Sequence, residues 1–130
     1  MNNKVHMILR IIFGSLFLCF GINYFYEFIP KQPMDLEAKA FMTALGLTGY
    51  FMEMVKIAEI AAGAMLIMNI FAPLALVIIS PILIGITSMH IFLNPQGVPM
   101  MIGIHIVHAL IAFGYRHYYS GLATLFAKAD

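Results

Sequence analysis

The sequence predicts an all-α protein, a four-helix transmembrane bundle with a short interfacial helix in its first loop. Of the 130 residues, 62% are apolar and 10% are charged, whereas about a quarter of a soluble domain is charged. The apolar residues form four stretches, each close to the roughly 20 residues that an α-helix needs to cross a bilayer. This length predicts one domain. A net charge of +1 without a basic run excludes a nucleic-acid-binding surface.

The first span is predicted over residues 7–29, where Pro30 and Pro33 stop it. A short helix follows over residues 35–45, with Asp35 suited to cap its start. It is too short to cross a bilayer, so we expect it on the membrane surface. Small and polar residues recur every four positions in the first span and predict its contact face: Ser15, Cys19, Asn23 and Glu27.

Three further spans are predicted over residues 50–69, 73–93 and 100–119. Pro81 predicts a kink in the third span. Positive charges in the flanks predict that both termini are cytoplasmic. The terminal flanks contain Lys4, Arg10, Arg116 and Lys128, whereas the first loop contains Lys31 and Lys39 and the other turns contain neither lysine nor arginine.

The second span is apolar but contains Glu53, Lys56 and Glu59 at a spacing of three. Residues three apart are neighbours on a helix surface. Each charge at the centre of a spanning helix costs about 2.5–3.5 kcal/mol. We therefore expect other parts of the protein to supply partners for these side chains.

The helical rise of about 1.5 Å per residue places polar side chains from all four spans in the outer half of the membrane. This arrangement predicts one shared polar pocket between the helices. Its predicted residues are Asn23, Glu27, Glu53, Lys56, Glu59, His90, His105 and His108.

Three interpretations of this pocket remain open. The charges and histidines can pair only to hold the helices in register. Alternatively, His90, His105 and His108 can bind haem or another metal, since neutral imidazoles suit such ions, although the sequence has no H-E-x-x-H or C-x-x-C-H motif. A quinone headgroup is the third interpretation, because a histidine beside a carboxylate supplies a hydrogen-bond donor and a proton route.

Short motifs give the chain a resemblance to the DoxX family of small four-span bacterial membrane proteins. The first span has the pattern R-x-x-x-G-x-x-F from Arg10 to Phe17. The second has E-x-x-x-G-x-x-L from Glu59 to Leu66, and the third ends with His90. The chain departs from the family pattern at Asn23, where a lysine is common, and at Ala62, which replaces one glycine of a pair.

The resemblance implies a protein of the bacterial cytoplasmic (inner) membrane. Some relatives are small subunits of a quinone-linked sulfur oxidoreductase or of a redox-stress complex. The residues carried over are Arg10, Glu59 and His90, and Lys56 can substitute for the missing lysine.

The expected function is that of an accessory subunit of such a membrane system, with the pocket facing quinone or a partner subunit. Lipid and a redox partner or a second copy are the expected partners. The alternative is a non-enzymatic scaffold, or a module that transports a proton or small solute. Whether the chain catalyses a reaction itself stays open.

Overall fold

The protein is helical throughout the part of the chain that its computed structural model describes, residues 1–127, where no strand occurs. The predicted all-α class is confirmed. Lys128, which contributed to the charge count, lies outside the described residues. The helices are α1 (Asn3–Tyr26), α2 (Leu36–Leu47), α3 (Phe51–Met68), α4 (Ala72–Leu93) and α5 (Val98–Gly114), with 3-10 segments at Pro95–Gly97 and Arg116–Phe126.

Three helical segments are long and apolar enough to cross a membrane: Asn3–Tyr26, Ala72–Leu93 and Pro95–Gly114. The protein is therefore compatible with a membrane environment. The helix α3 contains 18 residues and is also largely apolar, but its three charges distinguish it from the other long helices.

The first helix begins and ends earlier than predicted because side chains near its ends bind the backbone. The side chain of Asn2 accepts a hydrogen bond from the backbone N–H of Lys4 at 2.9 Å. At the other end Glu27 adopts a left-handed conformation with φ of 49°. The Asn23 side chain then accepts the backbone N–H of Ile29 at 2.7 Å, so the chain turns away before the prolines.

The last α-helix ends at Gly114 rather than near residue 119. Arg116 Nη1 donates to the carbonyl of Phe113 at 3.1 Å, which satisfies one of the free carbonyls at the helix end. The chain continues as a 3-10 segment, where the Tyr119 hydroxyl donates to the carbonyl of Pro73 at 2.9 Å. This bond attaches the 3-10 segment to the start of α4. The helix α4 continues through Pro81 without a break.

The short helix α2 contacts α3 and α4. Only Ala38 is fully buried in it, whereas Leu36 is 79% exposed and Phe41 is also exposed. The Asp35 side chain makes no capping bond. Instead, the backbone N–H of Asp35 donates to the side chain of Asn94 at 3.3 Å, and this bond connects the start of α2 to the end of α4.

Each of the four long helices packs against two others. The helix α1 contacts α3 and α5, and α4 contacts the same two helices from the other side. Because Arg10 bonds Leu66 and Tyr24 bonds Glu53, α1 and α3 run antiparallel side by side. The core between the helices includes Phe13, Phe17, Ala62, Leu66, Ala75, Leu76, Ile79, Leu83, Met101 and Ile111.

Glycines bring the backbones of α1 and α3 into close contact. A Cβ added to Gly63 would lie 2.6 Å from the carbonyl oxygen of Gly14 and 2.7 Å from the backbone nitrogen of Leu18. Small residues at helix contacts permit this approach in membranes. The contact face of α1 is thus the side of Gly14 and Gly21, both buried, and not the predicted side of Cys19, which is exposed.

Replacing Gly63 should test this contact. We expect Gly63→Ala to lower the free energy of unfolding by about 1–3 kcal/mol, as overpacking commonly does, because the added methyl group meets backbone atoms that cannot rotate away. The matched control is Gly85→Ala, where an added Cβ has no atom within 4 Å. Thermal unfolding in detergent, followed by circular dichroism, measures both; equal stabilities would contradict the close contact.

Candidate functional site

A buried ion pair lies on the inward side of α3. Lys56 Nζ is 3.0 Å from Glu59 Oε2, and their side chains are 17% and 2% exposed. Glu59 occupies the same buried stripe as Met52 and Leu66, where a helix of this type would otherwise place an apolar residue. The lysine three residues earlier therefore supplies the charge that the buried carboxylate requires.

A second carboxylate lies one turn before this pair. The Tyr24 hydroxyl of α1 donates to Glu53 Oε1 at 3.2 Å. The other oxygen, Oε2, is buried and has no hydrogen-bond partner among the described residues. A buried polar atom without a partner costs about 1–3 kcal/mol, so a hydrogen-bond donor placed at this oxygen would stabilise the protein. We call Tyr24, Glu53, Lys56 and Glu59 the α1–α3 cluster.

Close packing at Gly21 holds the two helices together beside the cluster. A Cβ at Gly21 would lie 2.6 Å from Ile60 Cγ1 and 3.1 Å from the carbonyl oxygen of Lys56. Any larger residue would separate α1 from α3 at this level. The position of Tyr24, one helical turn further along α1, thus depends on this glycine.

Two predicted pocket residues lie outside the cluster. The Asn23 side chain is engaged by the backbone N–H of Ile29. Glu27 Oε1 lies 3.8 Å from Lys31 Nζ, and both side chains are largely exposed, at 71% and 89%. Asn23 therefore shapes the end of α1, and Glu27 forms a surface ion pair of the kind that contributes little to stability.

Two predicted histidines connect α5 to α4. His105 Nε2 and Thr87 Oγ1 share a hydrogen bond of 2.7 Å. His108 Nε2 donates to the carbonyl of Leu76 at 3.0 Å. Both bonds join a ring nitrogen of α5 to a group of α4, as expected if these histidines hold the helices in register.

His90 lies at the end of α4, next to the turn that leads to α5. Its Nδ1 is 3.3 Å from both the carbonyl oxygen and the side-chain nitrogen of Asn94, and its tautomer decides which of them it binds. The ring also packs against Gly97, where an added Cβ would meet it. Asn94, which is buried, was not anticipated as a partner of His90.

The three histidines proposed as metal ligands thus bind three different partners. In the described part of the chain, no group of three or more His, Cys, Asp or Glu side chains is arranged to hold a metal ion. Of the eight predicted pocket residues, the structure brings together Glu53, Lys56 and Glu59. The other five are distributed between the end of α1 and the contact of α4 with α5, and a binding role for any of the eight stays a prediction.

A groove of about 580 Å³ lies between α1 and α5. Its lining is apolar apart from Ser15 and Cys19, and none of the eight predicted residues lines it. It follows the predicted contact face of the first span, which α3 does not cover. An apolar groove of this kind suits hydrocarbon better than a polar ligand.

Arg10 is the most deeply buried basic residue of the described chain, at 7% exposure. Its Nη1 donates to the carbonyl of Leu66, and to that of Ile67 at 3.1 Å. These carbonyls belong to the last turn of α3, where the helix dipole favours a cation. Arg10, carried over from the family resemblance, therefore caps α3.

Several polar side chains surround this cap, and the sequence did not predict that they would meet. The Tyr115 hydroxyl donates to Asn69 Oδ1 at 2.6 Å, and His6 Nε2 donates to the carbonyl of Ile111 at 3.0 Å. Burial raises the pKa of Tyr115 and also that of Tyr119, so both phenols stay protonated and donate at neutral pH. The only sequence signal was the clustering of Tyr115, Tyr118 and Tyr119 at the end of the last predicted span.

Comparisons with protein-family models, with curated protein sequences and with solved structures find no match for this chain.

Removing one partner of the buried ion pair should destabilise the protein more than removing both. Lys56→Met leaves the Glu59 carboxylate buried without its cation, and we expect a loss of about 3–5 kcal/mol in the free energy of unfolding. The double variant Lys56→Met/Glu59→Met should recover most of that loss.

Lys31→Met is the matched control, since it breaks an exposed pair and should change the free energy of unfolding by less than about 1 kcal/mol. Chemical unfolding in detergent measures the four proteins. A double variant that is no more stable than Lys56→Met would show that Lys56 and Glu59 do not act as a pair.

Proposed function

We propose that the protein is a four-span integral membrane protein in which α3 crosses the bilayer beside the three more apolar segments. The helix α3 lies alongside α1 over most of its length, because each end of α3 contacts one end of α1. One end contacts α1 through Arg10 and Leu66 and the other through Tyr24 and Glu53. The 18 residues of α3 cover about 27 Å, close to the ~30 Å hydrocarbon core.

The charges of α3 are compatible with this position because the other helices and the pair itself cover them. Glu59 is bonded to Lys56, and Glu53 receives the Tyr24 hydroxyl. We further propose that α2 lies on the outer membrane surface, since its exposed side includes Leu36 and Phe41. Its apolar side chains would then face the boundary between headgroups and acyl chains.

Single cysteines should test this topology in a Cys19→Ser background, expressed in a bacterium. With both termini cytoplasmic, an impermeant maleimide should label Gln32→Cys in intact cells. It should label Ile70→Cys and Ser120→Cys only after lysis. Labelling of Ile70→Cys in intact cells would contradict a crossing by α3, because the turn after α3 would then lie outside.

The function that the site supports best is that of an accessory subunit of a quinone-linked or redox-stress system of the bacterial cytoplasmic membrane. The observation that carries it is the buried Oε2 of Glu53, which has no hydrogen-bond partner in the described part of the chain and belongs to a cluster that also contains an ammonium group and a phenol. A quinone carbonyl accepts hydrogen bonds, as from Lys56, and the hydroxyl of a quinol donates one, as to Glu53. Both redox forms would thus find complementary groups in the α1–α3 cluster.

Membership of the DoxX family remains part of this proposal. The motif residues have structural roles that support it: Arg10 caps α3, and Gly14 and Gly63 form the close contact. Glu59 obtains its cation from Lys56, as expected for a chain that has Asn23 in place of the usual lysine.

A scaffold is the second candidate function. The bonds of His105 and His108 to α4 favour it, because these residues then serve helix packing and leave no free ring nitrogen at Nε2. The two candidates differ in the α1–α3 cluster alone: a scaffold needs only a folded ion pair there, whereas a quinone site also needs the free oxygen of Glu53.

Quinone retained by the purified protein should distinguish them. We expect the wild type, expressed in bacterial membranes and purified in detergent, to retain quinone that solvent extraction and chromatography detect. Glu53→Gln should lose most of it, because one carboxylate oxygen is replaced by an amide that cannot accept a hydrogen bond.

Glu27→Gln, which removes an exposed carboxylate just beyond the end of α1, is the control and should retain as much quinone as the wild type. Equal quinone content in all three proteins, or none in the wild type, would favour the scaffold.

A further inference from the structure

A second cavity, of about 310 Å³, lies at the end of the helices opposite to the α1–α3 cluster. It is formed where α1 begins, where α3 ends and where the 3-10 segment after α5 starts. We call it the basic pocket. Its lining includes Asn3, His6, Arg10, Asn69, Tyr115 and His117.

The charged side chains at the basic pocket are positive, and no acidic side chain of the described residues lines it. Arg10 lines it as a buried cation and forms no ion pair with any described residue. The acidic residues of the described chain all lie between positions 27 and 59, and none of them lines the pocket. Lys4 and Arg116 belong to the segments around it and add to the positive potential.

The hydrogen bonds of Arg10 leave part of its guanidinium group free. Both described bonds use Nη1, although the group has five N–H donors in a planar fork. Arg10 lines the basic pocket, and its remaining N–H groups form no hydrogen bond with any described residue. The carbonyls of α3 offer only about half a charge, which does not neutralise a buried cation.

From these observations we propose that the basic pocket binds a phosphate group, with Arg10 as its principal ligand and His117 at its exposed rim. A guanidinium group matches phosphate oxygens in geometry and charge. The pocket is also large enough for more than a bare ion, and it lies where the apolar part of the helices ends. That is the depth of lipid phosphates, so an anionic phospholipid and free phosphate are the two sources of this chemistry.

The binding test uses the purified full-length protein in detergent, with phosphatidylglycerol, phosphatidylcholine and inorganic phosphate as probes. A ligand that binds the folded protein raises its unfolding midpoint in proportion to occupancy. We expect phosphatidylglycerol to raise the midpoint and phosphatidylcholine to have a much smaller effect. Competition by inorganic phosphate would show that the phosphate group suffices, and absence of competition would identify the lipid as the source.

Three single substitutions test whether the phosphate group binds in the basic pocket. His117→Glu puts a negative charge at the exposed rim without touching the core, and it should weaken the apparent affinity about tenfold or more. Ser120→Glu adds the same charge to the same exposed segment but does not line the pocket, so it should bind as the wild type does. Arg10→Gln should lose binding, provided that its circular dichroism shows a folded protein.

The proposal is overturned if neither phosphatidylglycerol nor phosphate changes the midpoint, if phosphatidylcholine works equally well, or if His117→Glu binds as tightly as Ser120→Glu. The last comparison decides the matter even if Arg10→Gln does not fold. Neither result depends on the quinone proposal, which concerns the other end of the helices.

Discussion

The close approach of α1 to α3 is the constraint on which the rest of the structure depends. With Gly14 and Gly63 in contact through their backbone atoms, no side chain can separate the two helices at mid-height. Polar side chains above and below that point must then reach across a narrow gap. Arg10 therefore bonds the end of α3 and Tyr24 bonds Glu53. The contact between Gly14 and Gly63 thus fixes the register of α1 against α3, and with it the positions of the Arg10 cap and of the α1–α3 cluster.

Apolar length was sufficient to predict the helices, and charge spacing made Lys56 a neighbour of both Glu53 and Glu59. The expectation that other parts of the protein supply the partners was wrong for Lys56 and Glu59, which pair with each other within α3. The stretches of about 20 apolar residues leave few alternatives to a helix, and residues three apart meet on any helix surface. Helix ends were less predictable, because single side chains decide them. The helix α1 ends several residues before its predicted limit because Glu27 adopts a left-handed conformation. The helix α5 also ends early, where Arg116 binds the carbonyl of Phe113.

The predicted pocket shows that helical rise alone cannot predict which side chains meet. Depth in the membrane follows from position along a helix, but direction around the helix axis depends on which neighbour packs against which face. Helical rise predicted His105 and His108 at depths similar to those of the charges of α3, yet they face α4 and bond there. Glu27 lies just beyond the end of α1, so its side chain lies on the surface of the protein. The missed contacts of Arg10 likewise depend on the α1–α3 pairing.

Glu59 and Arg10 are the two buried charged residues of the described part of the chain. They are stabilised in different ways, which suggests different roles for the two. Glu59 has a full opposite charge three residues away, so the pair is nearly neutral and needs no other ion. Arg10 has only backbone carbonyls among the described residues, and these contribute partial charges. A cation in that position attracts an anion from outside the helices, since a buried charge without full compensation is costly. Consequently the end with the carboxylates suits a neutral hydrogen-bonding ligand, whereas the opposite end suits an anion.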